Sequence, residues 1–317
     1  MKDWITMNDE ITSKESTLQE SALMVEGLTK SYGEVKALRG VDLQVQQGEI
    51  FGFLGPNGAG KTTTIRCLLD LIRPDSGKAR VLGIDPQTNP SEVQARTGYL
   101  PGEMELYASL TVERQLRFLN DLRGKKADWD YVRQLCTRLG LDLKLQIKNL
   151  SKGNKQKIGI VQALMHRPEL LLLDEPTGGL DPLVQQEVLA LIREARSGGA
   201  TVFFSSHVLS EVEAVTDRVA ILRKGKIVEV GETSSLTHRA LHRISVRFLA
   251  PVNCRELESL SGVQILSTID STDITLQVTG AMDRLIKALG AYPVAEIETS
   301  RPSLEEAFLA YYKKENG

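Results

Sequence analysis

The sequence predicts an α/β fold, in which a mostly parallel sheet covered by helices on both faces is followed by a small α+β domain. Three observations carry this. Short unbroken apolar runs, Ile50–Leu54, Leu170–Leu173 and Thr201–Ser205, alternate with helical segments, as strands buried on both faces do. A glycine-rich segment lies between the first of these strands and a helix. Beyond Gly231 the pattern changes to apolar and polar residues in alternation, the mark of strands with one wet face.

Along the chain, residues 1–21 read as a polar tail of mixed charge that lacks the apolar centre of a signal peptide. Residues 22–231 form the large domain. Lys61–Ile72 reads as a helix stopped by Arg73-Pro74, and Leu183–Arg196 as a second one. Val112–Arg123 and Trp129–Leu139 read as helices of an inserted helical segment. Residues 232–317 form the small domain. Ile244, Val246 and Phe248 alternate with polar residues, as do Ile274, Leu276 and Val278, while Met282, Leu285, Ile286 and Leu289 share one helical face. Ser303-Leu304-Glu305-Glu306 is a capping box that opens a last helix, with Leu304, Phe308 and Tyr311 on one side.

Composition removes several classes of function. The 317 residues carry 39 basic and 41 acidic side chains, a net charge of −2, without the basic excess of a nucleic-acid binder. Cys67, Cys136 and Cys254 are odd in number and widely spaced, which gives neither a disulfide framework nor a metal pattern. No apolar run approaches the ~20 residues of a membrane-spanning helix. The expected location is therefore cytoplasmic.

The chemistry lies in two places. Gly55-Pro56-Asn57-Gly58-Ala59-Gly60-Lys61-Thr62 satisfies G-x-x-x-x-G-K-[ST]. Its glycines let successive backbone N–H groups and a helix N-terminus face phosphate oxygens. Lys61 would neutralise β- and γ-phosphate charge, and the Thr62 hydroxyl would ligate Mg2+. The apolar strand Leu170–Leu173 then delivers Asp174 and Glu175 to the sheet edge. Asp174 would hold the metal, and Glu175, aimed differently by the strand pleat, would act as general base toward water.

On these residues the chain resembles the ATP-binding cassette (ABC) ATPases, and further motifs match that family in order. Leu150-Ser151-Lys152-Gly153-Asn154 resembles its signature, usually Leu-Ser-Gly-Gly-Gln; Gly178-Gly179-Leu180-Asp181 resembles its D-loop; His207 resembles its switch histidine and Tyr32 its adenine-stacking aromatic. The likeness runs from Leu23 to about Gly231, and Pro302–Phe308 is similar to the tail of ATPases that serve ABC-2-type exporters.

The resemblance implies a P-loop ABC ATPase domain with antiparallel N-terminal strands and a helical subdomain, binding ATP and Mg2+. It implies catalytic roles for Glu175, His207 and Lys61, and a metal held by Thr62 and Asp174. Nucleotide would contact Tyr32, the loop from Gly55 through Lys61 and Thr62 to Thr63, and Ser151, Gly153 and Asp181. Ser151 serves the opposite subunit in that family, so a head-to-tail homodimer is expected. A membrane permease on a separate chain would anchor it to the inner face of the membrane, with no nucleic-acid partner.

Two departures stand out. Gly102 and Glu103 stand where a glutamine that touches Mg2+ is usual, which leaves Glu103 either a metal-side carboxylate or a solvated loop acid. Lys152 and Asn154 replace a glycine and a glutamine in the signature. The alternative class, a non-transport ABC ATPase acting on nucleic acid or the ribosome, would bring coiled-coil or zinc insertions or a second cassette. Residues 102–151 hold no sustained heptad or CxxC pair, and the chain has one phosphate loop.

Overall fold

The computed structural model describes residues 21–300 other than 126, 239–241, 253–256, 258, 259, 271 and 279–281. Residues 1–20 of the expected tail, Cys254 and the expected last helix with its capping box lie outside these residues, while Ser21, expected in the tail, is buried at the start of the first strand. The chain divides into two units that meet between Gly231 and Glu232.

In the first unit β1 (Ser21–Tyr32) and β2 (Val35–Gln46) form a long antiparallel hairpin closed by the Tyr32–Val35 pair. β3 (Ile50–Leu54) leads through the glycine-rich loop into α1 (Lys61–Leu68). β4 (Ser76–Val81) then returns antiparallel to β1, completing a three-stranded sheet of order β2-β1-β4. α2 (Pro90–Arg96) and β5 (Thr97–Leu100) follow. α3 (Val112–Leu122), α4 (Trp129–Arg138) and α5 (Lys152–Leu164) make the helical subdomain, α3 and α4 each packing on α5. The chain returns as β6 (Leu170–Asp174), α6 (Pro182–Ser197), β7 (Thr201–Ser206), α7 (Leu209–Val215), β8 (Arg218–Arg223) and β9 (Lys226–Glu232).

The larger sheet has the order β5-β6-β7-β3-β8-β9 and is parallel from β5 through β8. Its pleat explains how both faces are covered. Phe51 and Phe53 point into one core with Ile65 and Leu68 of α1 and with Leu23, Val25 and Val41 of the antiparallel sheet. Gly52, between them, faces the other way, and a Cβ there would stand 2.7 Å from the Val212 side chain on α7. β3, β6 and β7 are buried along their whole length. Their unbroken apolar runs are what a sheet with two covered faces requires.

α1 ends at Leu68, four residues before the expected Ile72. Leu71 N donates to Arg66 O and Asp70 N to Cys67 O, with Asp70 left-handed at φ 51°. This is a Schellman stop, which normally announces itself with glycine. Here aspartate occupies the left-handed position, so the sequence hides the ending.

The helical subdomain is tied to α6, which packs on β7 of the larger sheet, by a charged clasp, Arg138 of α4 pairing with Glu187 and Glu194. Burial pushes the Cys67 and Cys136 thiols up to about 11, so both are protonated and inert at neutral pH.

The second unit contains α8 (Thr233–His238), β10 (His242–Phe248), β11 (Val263–Ile269), β12 (Asp273–Val278), α9 (Asp283–Leu289) and β13 (Val294–Ser300). Its strands form an antiparallel sheet of order β11-β12-β10-β13. Ile244, Val246, Phe248, Ile274, Leu276 and Val278 share its core with Leu285 and Leu289. Ile286 was expected on that buried face but is 57% exposed. Leu285 and Leu289, four apart, already fill the one stripe that a two-turn helix presents.

Phe203 is fully buried on β7, stacked on Phe51 with centroids 6.1 Å apart and tilted against Phe53 at 5.0 Å. Phe203→Ala should cost about 3–5 kcal/mol, the usual range for emptying such a site. Urea unfolding of the variant measures this, and a loss under about 1 kcal/mol would contradict the packing described.

Candidate active site

The site is built where three strands end. β3, β7 and β6 run parallel in register, so Phe53, Ser205 and Asp174 stand side by side. Each chain then leaves the same sheet edge, into the glycine-rich loop, into His207, or into Glu175. Ligands of open α/β sheets bind at that edge. A cavity of about 1000 Å3 opens there, lined by Tyr32, Pro56, Asn57, Gly58 and Gly60 to Thr63 together with Asp174, Glu175 and His207.

The loop is shaped by backbone constraint. Gly60 has φ 114°, and a Cβ on it would stand 2.7 Å from Ala37 O. The first bond of α1 runs from Thr64 N to Gly60 O, 2.9 Å. The N–H groups of Lys61, Thr62 and Thr63 thus have no acceptor within the helix. With the positive end of the helix, they make an anion-binding surface.

Lys61 is buried, and its Nζ donates to Gly55 O at 2.6 Å and Pro56 O at 3.3 Å and lies 3.1 Å from Glu175 Oε1. The other carboxylate oxygen of Glu175 pairs with His207 Nδ1. Thr62 Oγ1 donates to Asp174 Oδ2 and Ser205 Oγ to Asp174 Oδ1, both at 2.6 Å. The structure therefore brings Lys61, Thr62, Asp174, Glu175 and His207 into one cluster. The pleat does not separate the two acids as expected. β6 stops at Asp174, and Glu175 takes a left-handed backbone at φ 51°. For a non-glycine residue that conformation costs about 1–2 kcal/mol, and it turns the side chain from the sheet edge toward Lys61 and His207.

Other expected residues fall differently. Tyr32 stands at the cavity rim, 48% exposed, with Lys30 Nζ 5.9 Å from its ring centre. Ser151, Gly153 and Asp181 do not line the cavity, whereas their neighbours Lys152, Gly178 and Gly179 do. Ser151 Oγ caps α5 by accepting Asn154 N at 3.2 Å, and Asp181 Oδ1 caps α6 by accepting Val184 N at 3.0 Å. Gly55 and Ala59 likewise lie behind the lining, where a Cβ on Gly55 would meet Leu222 O at 2.4 Å. Glu103 lines the cavity and Gly102 touches Asp174: a Cβ at 102 would stand 3.2 Å from Asp174 Oδ2.

Several residues escaped sequence reasoning. Ser205 lies two residues before His207, and only the strand register reveals its bond to Asp174. Gln156 lies one turn into α5 and reaches the backbone of Glu175. Lys36, Arg39, Arg66, Lys152 and Lys224 surround the cavity with positive charge. The ionisation of the Tyr99 hydroxyl is pushed up, first by burial and then by the charge of Asp174.

The Lys224-Gly225 turn joins β8 to β9 and touches both halves of the cavity. Gly225 N donates to Ala59 O at 2.9 Å, behind the phosphate loop, and Gly225 O accepts Arg39 N at 2.8 Å, on the rim strand. Gly225 has φ 77°, and a Cβ on it would lie 2.6 Å from Ala37 O.

Comparison with known proteins follows the same lines. The family profile described as ABC transporter matches residues 38–178. The bacitracin transport ATP-binding protein BcrA of Bacillus licheniformis is 43% identical over 205 residues, 64% of this chain and 67% of that one. The linearmycin resistance ATP-binding protein LnrL of Bacillus subtilis is 30% identical over 302 residues, 90% of this chain and 97% of its own, so the likeness extends into the second unit. A solved ATP-binding subunit of an ABC transporter matches with a TM-score of 0.62 at 31% identity, covering 69% of this chain and 92% of that one. A dimeric post-hydrolysis cassette bound to ADP and Pi matches at 0.59 and 22% identity over 67% of this chain and 98% of its own, which speaks for the fold alone.

Gly225→Ala combines left-handed strain with a backbone clash and should weaken nucleotide binding about tenfold, roughly the 1.4 kcal/mol that one such conflict supplies. Gly83 has φ 79° with nothing near a built Cβ, so Gly83→Ala should leave binding unchanged. Titration with a fluorescent ATP analogue compares the two. Equal affinities would remove the strut role of Gly225.

Proposed function

The chain belongs to the family of ABC transporter ATP-binding proteins, and from that premise we propose how its own residues bind and hydrolyse ATP to drive transport. The observation that carries the proposal is the convergence of Lys61, Glu175 and His207 on one point, beside the Thr62–Asp174 pair. The reaction is attack of water on the γ-phosphorus of ATP, giving ADP and phosphate. Positioning and charge stabilisation do most of this chemistry.

The first-turn N–H groups of α1 and the Lys61 ammonium hold the β- and γ-phosphates. Glu175 takes the proton of the attacking water at one carboxylate oxygen. His207, paired to that carboxylate, fixes its rotation and faces the same phosphate. Tyr32 offers its exposed ring to the adenine.

The donor set also fits Mg2+. Thr62 Oγ1 and Asp174 Oδ2 are hard oxygens held together at the cavity wall. Among the described residues no group of three or more His, Cys, Asp or Glu could hold a metal, and Mg2+ needs none, since it keeps several waters and takes one or two protein oxygens. Thr62 and Asp174 would hold it, and bound there it would neutralise charge between the β- and γ-phosphates.

Ser151 and Gly153 lie outside the cavity of their own chain, which supports a head-to-tail homodimer in which each α5 N-terminus completes the site of the neighbour, with Asp181 beside it. Among the described residues no helix is long and apolar enough to cross a membrane. The proposed partner is a permease on another chain, which holds this subunit at the inner face of the membrane. The relatives named for bacitracin transport and linearmycin resistance support export. Residues 232–317 are proposed as a separate small domain with no part in the chemistry.

Glu175→Gln should keep ATP affinity and lose hydrolysis by about 10²–10⁴-fold, the usual worth of a general base. Phosphate release measures the loss, and size-exclusion chromatography with ATP should show a trapped dimer. Hydrolysis at the wild-type rate would reject Glu175 as the base.

Glu103 is proposed as a carboxylate on the metal side of the cavity, close beyond Gly102. Glu103→Ala should then shift the magnesium requirement for hydrolysis upward, most clearly at low ionic strength. An unchanged magnesium titration would make Glu103 a solvated loop acid.

A further inference from the structure

We infer that Gln156 is a positioning residue for the catalytic carboxylate, and that through it the helical subdomain sets the competence of its own site. The side chain is 5% exposed, one turn into α5. Its Nε2 donates to Glu175 O at 3.0 Å and to Pro176 O at 3.4 Å. Two carbonyl acceptors fix the amide orientation, since only the nitrogen end can donate to them.

The bond matters because of where it lands. A left-handed non-glycine residue persists only where its surroundings over-determine it. Glu175 N is held by Ser205, through O at 3.1 Å and Oγ at 3.2 Å. Glu175 O is held by Gly178 N at 3.1 Å and by Gln156. Ser205 and Gly178 are fixed parts of the sheet edge and of the turn itself. Gln156 alone among these comes from the helical subdomain, on a helix packed against α3 and α4. A shift of α5 therefore reaches Glu175 through its carbonyl and tilts the carboxylate away from Lys61 and His207.

The same helix carries Ser151 at its N-terminus and Gly153 in its first turn, where a Cβ would lie 2.9 Å from Gly179 O. α5 is thus held against the 175–180 turn at two points. In the proposed homodimer the N-terminus of α5, one turn from Gln156, meets the neighbouring subunit, so docking there would bear on the base in its own chain.

This inference rests on Glu175 as the general base. The test uses the full-length protein and four forms: wild type, Gln156→Leu, Glu175→Gln and the double variant. Gln156→Leu keeps size and removes the donor. It should lower kcat by ~10–100-fold, the scale for displacing a reacting group by about an ångström. The KM for ATP and the affinity for a fluorescent ATP analogue should stay within twofold. In the Glu175→Gln background the same change should lower residual hydrolysis no further, because its effect passes through the lost carboxylate.

Wild-type kcat in Gln156→Leu, an equal loss in both backgrounds, or ATP affinity falling in step with kcat would each overturn the role. If Gln156→Leu fails to fold by circular dichroism, Gln156→Glu, equal in shape but facing carbonyls with a carboxylate, takes its place with the same expectations. Wild-type hydrolysis in Glu175→Gln would sink the base assignment itself, whereas an inactive Glu175→Gln beside an active Gln156→Leu would sink only the positioning role.

Discussion

Phe53, Ser205 and Asp174 lie abreast across β3, β7 and β6, and the remaining geometry of the site depends on that register. Because side chains alternate with a period of two, a slip of one residue would turn Ser205 away from Asp174 and swing the phosphate loop out of reach of both acids. Burial of every residue in the three strands prevents the slip, since each shifted side chain would leave a filled position. Ser205 reads the register twice. Its hydroxyl donates to Asp174, and its carbonyl accepts the N–H of Glu175. One residue of the central strand thereby locates both acids against the loop.

The electrostatics of the cavity differ from those of the whole chain. The net charge of −2 is nearly neutral, yet Lys36, Arg39, Lys61, Arg66, Lys152 and Lys224 line the cavity against Glu103, Asp174 and Glu175. A concave, partly desolvated site concentrates such a local excess. The acids are not spread through it. Asp174 and Glu175 are each tied to hydroxyl, ammonium or imidazole partners, which leaves the rim cations to meet a polyanion.

The phosphate loop, the acid pair and their order along the sheet were legible because each is written in consecutive residues with strong local rules. So were most helices and the buried strands. The rest failed for identifiable reasons. The end of α1 is set by Asp70 in a conformation that glycine usually marks. The turn of Glu175 is backbone strain, which side-chain patterns do not record. The pairing of β1 with β4 joins residues about fifty positions apart, and Ser205 and Gln156 act across elements that only the folded chain brings together. Ile286 shows the opposite error, an apolar residue at helical spacing that a short helix has no room to bury.

The Lys224-Gly225 turn ties together two parts of the cavity wall. One glycine is hydrogen-bonded to Ala59 behind the phosphate loop and to Arg39 on the rim strand, and it shares the neighbourhood of Ala37 O with Gly60. The spacing between the β2 rim and the glycine-rich loop is therefore a main-chain dimension. Replacing a side chain at the rim leaves that dimension as it is. The cavity thus carries a rigid internal caliper, made of backbone and independent of the side chains around it.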